Sequence, residues 1–284
     1  MLRGLTVGAV LLAAGVVCAQ PPPLAGGTPA YTATDLGCLV ITPWVHEPHV
    51  PTWSGACPNG IAEGAATLQG RLAEKSYRYE GTLSRGMRHG AGTFAFPSGD
   101  QYAGAWRNNL MHGQGTYRWR DGSEHTGEYR DNKFHGPGVL ALANGVRYEG
   151  AFREGRMHGM GMQTTPSGNR YEGEFRNDLR HGRGILTFPN GNRYEGDWEN
   201  GKRHGKALYT WPNGSRYEGE YDNDLPHGIG TLRDGRTLQI YEGEWNKGCF
   251  KQGSRRAWLF VEEAACNTNR PNLGLSAVSN GGIL

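Results

Sequence analysis

The sequence predicts an all-β protein, an elongated single-layer antiparallel sheet of tandem β-hairpins. Three observations predict it. A 23-residue unit returns in register, starting at Tyr148, Tyr171, Tyr194 and Tyr217. Within each unit, bulky residues and a glycine share the two-residue period of a strand. Finally, 46 of the 284 residues are glycine beside a hydrophobic content of 37 %, which suits a thin sheet with many turns.

Positions 1 to 23 are counted from the tyrosine. Position 1 holds Tyr79, Tyr102, His125, Tyr148, Tyr171, Tyr194, Tyr217 and Tyr241. Position 3 is glycine throughout: Gly81, Gly104, Gly127, Gly150, Gly173, Gly196, Gly219 and Gly243. Position 5 is large and apolar, as at Trp106, Phe152 and Trp198. Positions 1, 3 and 5 therefore share one face, and the glycine leaves bare backbone on which a ring from elsewhere can lie. Positions 2 and 4, often acidic, point to the other face. Turn residues such as Asn200-Gly201 follow at positions 7 and 8. His-Gly fills positions 11 and 12 in seven copies, at His89, His112, His135, His158, His181, His204 and His227. A second strand such as Gly184–Phe188 comes next, then a turn such as Pro189-Asn190-Gly191. Two short strands divided by glycine-rich turns read as a hairpin, and a fixed period of this length means that each unit stacks on its neighbours.

These residues resemble the MORN repeat family, whose consensus reads YEGEWKNGKMHGKGTYTYPDG, over Tyr79 to Phe250. The resemblance implies a slightly twisted single-layer sheet with one hairpin per repeat, a solenoid serving as a scaffold. Strand spacing agrees: roughly 10 Å of advance per repeat makes a rod on the order of 80 Å long.

The chain then divides as follows. Residues 1–19 read as a signal peptide, with Arg3, an apolar run from Leu5 to Val17 and the small-residue site Val17-Cys18-Ala19. The rival reading, a lipid anchored on Cys18, meets Val17 where a lipobox carries glycine or alanine. Residues 20–37 read as a Pro/Gly-rich linker. Residues 38–78 form an N-terminal cap with a degenerate repeat at Trp53–Gly60, followed by the repeats over 79–250. A C-terminal cap over 251–268, with a closing strand at Ala257–Val261, and a disordered tail over 269–284 complete the chain. Between repeats seven and eight the spacing slips by one residue.

Four cysteines remain after the signal: Cys38, Cys57, Cys249 and Cys266. They allow three pairings. An exported chain meets an oxidising space, and the two local pairs, Cys38–Cys57 and Cys249–Cys266, would each lock one cap.

The histidine ladder invites a metal reading. Neighbouring repeats stand roughly 10 Å apart, too far for two donors on one ion. Each imidazole is instead expected to bond a backbone group at a tight turn, so no metal or cofactor is expected. Arg147, Arg170, Arg193 and Arg216 form a ladder at position 23, each two residues before a glutamate. It is either a row of solvated ion pairs or a stripe for a partner. Some rings are expected to stay exposed. Neither a P-loop nor a GxSxG occurs, and residues that recur by repeat suit scaffolding better than a unique catalytic centre. Net charge is +3, one less after cleavage of the signal, which argues against nucleic acid. The expected function is a non-enzymatic, exported scaffold that binds a protein at the bacterial cell envelope, in the periplasm or secreted. The alternative is a phospholipid-binding module, and self-association stays open.

Overall fold

The computed structural model describes residues 31–41, 50–72 and 74–267. The signal-peptide, lipid-anchor and tail readings lie outside them, as does most of the linker. The chain divides into two compact units, Cys18–Pro166 and Ser167–Leu284.

The first unit opens with β1 (Tyr31–Ala33) and β2 (Leu39–Ile41), a two-stranded pair inside and beside the stretch read as linker. Then come β3 (Thr52–Trp53), β4 (Gly64–Leu72), β5 (Lys75–Ser84), β6 (Met87–Ala95), β7 (Gln101–Arg107) and β8 (Leu110–Arg118). It ends with β9 (Glu124–Arg130), β10 (Lys133–Ala141), β11 (Arg147–Arg153) and β12 (Arg156–Thr164). From β3 onward each strand pairs antiparallel with the next in an open sheet of consecutive hairpins.

The second unit repeats the plan. Its strands are β13 (Arg170–Arg176), β14 (Leu179–Thr187), β15 (Arg193–Glu199), β16 (Lys202–Thr210), β17 (Arg216–Asp222), β18 (Leu225–Arg233) and β19 (Ile240–Asn246). The cap adds β20 (Cys249–Gln252), β21 (Arg255–Trp258) and a short helix, α1 (Glu263–Asn267). The closing strand thus starts two residues and ends three residues before its sequence reading, because the chain turns away at Leu259. Consecutive strands again pair antiparallel.

One face of each sheet carries the core. Position-1 rings are buried almost completely, from Tyr79 at 0 % to Tyr241 at 7 % exposed. The ring on the bare glycine is not from elsewhere: it is the repeat's own tyrosine. Tyr148 donates its hydroxyl to the Ala151 carbonyl at 2.9 Å, and Tyr171 to Glu174 at 3.0 Å. The ring thereby crosses the glycine at position 14 of the returning strand. A Cβ on Gly161 would come 2.6 Å from the Tyr148 ring. Tyr102, Tyr171, Tyr194 and Tyr217 each also stand edge-on between two position-5 rings, their own and the next repeat's. Tyr194 lies 5.1 Å from Trp198 and 5.3 Å from Tyr221, both near perpendicular, a favourable ring geometry.

His-Gly does not make a turn between strands. The returning strand starts at position 9, and His-Gly sits inside it as a bulge. In the second unit Gly173 pairs with Gly184 while Glu174 pairs with His181, so Gly182 and Arg183 are extra in that hairpin. Both nevertheless pair with the next one, opposite Trp198 and Asp197. The position-12 glycine has positive φ, 57° at Gly182, which a side chain would oppose.

The real turns are at positions 7 and 8, both left-handed, as at Asn223 (49°) and Asp224 (71°). They are two-residue turns whose twist matches the flanking strands. The position-8 N–H donates to the position-10 carbonyl of the preceding repeat: Asn109 to Arg88 at 3.0 Å, Gly155 to Phe134 at 2.9 Å, Asp224 to Arg203 at 3.1 Å. Where position 8 is Asn or Asp, its side chain accepts the N–H coming back. Asn109 Oδ1 takes that of Arg88 at 2.9 Å and Asn132 Oδ1 that of Met111 at 2.8 Å.

Both caps join this column of turns. In the first unit the Ile41 N–H bonds the Gly86 carbonyl at 2.8 Å, and Asn109 Nδ2 donates to Ile41 O at 3.1 Å. In the second, the Leu259 N–H bonds Gly248 O at 2.8 Å. Trp53 acts as a position-1 residue: its Nε1–H donates to Ala56 O at 3.0 Å, and its ring covers Gly55. Disulfides join Cys38 to Cys57 and Cys249 to Cys266, with Cα atoms 5.7 and 5.5 Å apart. No helix among the described residues is long and apolar enough to cross a membrane.

Candidate interaction surface

The face opposite the rings is built from positions 2, 4, 13, 15 and 23. The alternation that buries Tyr194 and Trp198 turns Glu195 and Asp197 outward. In the second unit this gives one column of Glu172, Glu195, Glu218 and Glu242 and another of Glu174, Asp197, Glu220 and Glu244. Arg183 reaches Asp197 at 3.2 Å.

The arginine ladder lies on this face. Arg147 meets Glu149 at 2.8 Å, Arg193 meets Glu195 at 2.5 Å, and Arg170 contacts Glu172. All six side chains are at least one-third exposed, so water screens these pairs and they stabilise little. Arg216 instead lies opposite Arg233 on the neighbouring strand.

Between these charges lies an open depression of about 510 Å³, lined by Arg183, Glu195, Lys206, Leu208, Glu218, Glu220 and Ile229. Ile229, 65 % exposed, lines its β18 side. It continues along Arg216, Thr231 and Arg233. Sequence reasoning missed Leu208 and Ile229. The signal for Ile229 is position 13, which varies through Ala91, Gln114, Pro137, Met160, Arg183, Lys206 and Ile229, while Leu208 stands at position 15. In the first unit Met160, also 65 % exposed, holds that position.

The seam glycines and tyrosines all line the core side. The histidines do not gather, and among the described residues no three metal-ligating side chains converge. A bond from Nδ1 to a backbone group is absent at His112 and at His135, where that atom is buried without a hydrogen-bond partner. His112 Nδ1 stands 3.5 Å from Asp131, and His204 stands 3.5 Å from both Glu199 and Asp222. The expected exposed rings are not found either. Among the described residues the exposed large apolar side chains are Leu36, Val50, Met160, Ile229, Leu238 and Ile240, none aromatic.

Position 10 was also missed. Arg88 is 3 % exposed, with its guanidinium 4.3 Å above Trp106 and 4.6 Å above Phe94. Burial lowers its pKa to about 10, still charged at neutral pH. The Asn109 side chain and carbonyl accept its N–H groups at 3.1 and 3.2 Å. Arg203 repeats the arrangement with Asp224. His125 takes the tyrosine position in the third repeat. It is fully buried, stacked 3.8 Å from Phe134, with Nδ1 2.8 Å from the Tyr129 hydroxyl. Burial lowers its pKa to about 3.

Among solved structures, the TCP domain of Drosophila melanogaster SAS-4, in complex with a proline-rich motif of Ana2, is similar at 11 % identity and a TM-score of 0.35. That match covers 55 % of this chain and 85 % of the other. The G-box domain of the microcephaly protein CPAP is similar at 10 % identity and a TM-score of 0.38, covering 69 % of this chain and 99 % of the other. No curated protein matches the chain. The MORN repeat model matches seven consecutive times, at 79–101, 102–124, 125–147, 148–170, 171–193, 194–216 and 217–235, more than half the chain. With the tyrosine-on-glycine hairpins in register across these same residues, the chain belongs to the MORN repeat family.

Proposed function

We propose that the protein is a non-enzymatic scaffold, exported to the bacterial cell envelope, that presents the open face of its sheet to another protein. The observation that carries this reading is the depression on that face, where Leu208 and the exposed Ile229 lie among charged side chains of both signs. Protein interfaces likewise combine apolar side chains with polar and charged ones. Its interspersed carboxylates oppose the anionic head groups of the phospholipid reading. The two disulfides suit an oxidising compartment, and Arg3, the apolar run and Val17-Cys18-Ala19 suit a signal that takes the chain there.

The test is affinity capture from envelope extract, with the full chain and its Ile229→Glu variant as baits and with anionic vesicles as a parallel probe. The reading expects a protein captured by the parent and lost with Ile229→Glu. Salt-sensitive sedimentation with vesicles, and no protein that distinguishes the two baits, would overturn it.

A further inference from the structure

The C-terminal cap lays the Phe260 ring on the ring-lined face of the second unit. After β21 the Leu259 N–H bonds the Gly248 carbonyl, and Phe260 follows at a φ of 61°. That left-handed conformation is costly for a bulky residue. The Phe260 ring lies 5.0 Å from Tyr209 and 6.1 Å from Trp211, near parallel to the latter at 17°. The Arg203 guanidinium stands 4.4 Å over it, and Tyr221 lies 6.4 Å away. The Tyr221 hydroxyl is buried and has no hydrogen-bond partner in this socket.

The cap is held by the buried Leu259 side chain, by the four residue pairs of β20 with β21, by Arg255 over Tyr241 and by the Cys249–Cys266 bond, while its strand pairing to the sheet is thin. The strands β20 and β21 are four residues each, and β20 joins β19 through two residue pairs, Trp245–Phe250 and Asn246–Cys249. The Cys249–Cys266 bond ties α1 to β20.

We propose that the socket of Tyr209, Trp211, Tyr221 and Arg203 is a binding site for an aromatic side chain of a partner segment, shut by Phe260 while Cys249–Cys266 is intact and opened by its reduction. A dithiol reductant supplies two electrons and two protons. The sulfur–sulfur bond breaks, Cys249 and Cys266 become thiols, and the reductant closes into its own disulfide. The freed cap releases Phe260 from its left-handed conformation. The vacated rings and guanidinium then accept a ring from an extended segment with aliphatic neighbours, the chemistry that Trp258–Val261 itself displays. A ligand carbonyl near Tyr221 would satisfy its hydroxyl, a gain that Phe260 cannot supply. This site lies on the core side and stands independently of the open-face reading.

The experiment uses the full chain and a fluorescent synthetic peptide of residues 255–262, followed by anisotropy. Binding is expected to be about tenfold tighter after dithiothreitol than before it, and a peptide with Phe260→Ala should not bind. Because reduction can also loosen the fold, a Phe260→Ala protein with both disulfides intact is the second arm. It is expected to bind the parent peptide without reductant. Absence of binding by that protein overturns the site, whatever the reduced chain does. Binding by it with no gain on reduction of the parent overturns the redox control.

Discussion

Tyr171 lies across Gly184. Its hydroxyl bonds the Glu174 carbonyl on its own strand, and a Cβ on Gly184 would come 2.6 Å from its ring. Beneath the ring, Gly173 faces Gly184 directly, and a Cβ on Gly173 would come 2.5 Å from the Gly184 Cα and the Arg183 carbonyl. A tyrosine and two glycines thus make one closed contact, and backbone cannot give way as a flexible side chain can.

Gly173→Val should therefore destabilise the second unit by about 3 kcal/mol, through overpacking against backbone. Chemical denaturation measures it. A midpoint equal to the parent's would mean that the strands part without cost.

His125 makes stability depend on pH. Its folded pKa, about 3, lies below the unfolded value of 6.5, because burial disfavours the charged form. The unfolded chain therefore binds the extra proton between these values. Stability from this site is fully present above pH 6.5 and falls progressively down to pH 3. Between pH 6.5 and 4.5 the loss should be on the order of 2–3 kcal/mol. The His125→Tyr variant restores the residue found in the other repeats and should flatten that part of the profile. Urea midpoints of both proteins across this range check it, and parallel profiles would refute it.

Asn132→Ala should cost about 1–3 kcal/mol, the penalty for leaving the Met111 N–H without its acceptor. Replacing Asn169, which bonds within its own turn, should cost less. Thermal melts of the two variants compare them directly.

Removing Cys38–Cys57 should cost about 3 kcal/mol in the chain-entropy model. The effect should appear first where the cap meets the turns. Hydrogen exchange is expected to quicken at the Ile41 and Gly86 amides in a Cys38→Ser/Cys57→Ser variant before it does at Gly127. Uniform quickening would show that the bond does not act through the cap.

What the sequence made legible is what a hairpin decides within itself. Tyrosine at position 1, glycine at 3 and a ring at 5 follow from one strand's alternation, so the fold class and the register come from counting. Contacts between elements were less readable. Glycine 14 looks like any turn glycine until the tyrosine is seen to cross it. His-Gly resembles a turn because the left-handed glycine is shared by turns and bulges, and only pairing on both sides separates them. Arg88 and Arg203 carry no signal in the sequence, since their burial depends on rings of the next repeat as well as their own. Ile229 was hidden because a periodic argument weighs constant positions and passes over the variable one.

The column of turns gives the chain a rule of length. Joints between regular repeats share one N–H to carbonyl bond across 21 residues, as from Gly201 to Arg180, and a side chain returns it where position 8 is Asn or Asp, as at Arg88 with Asn109 and Met111 with Asn132. Excising or duplicating one whole unit would reunite equivalent donors and acceptors, whereas losing a single residue inside a strand would turn the rest of that strand's rings toward water. Gene segments of this kind can therefore lengthen or shorten by recombination in whole steps. The one extra residue here is placed accordingly: Leu238, 80 % exposed, sits in the loop before β19, where it displaces no joint.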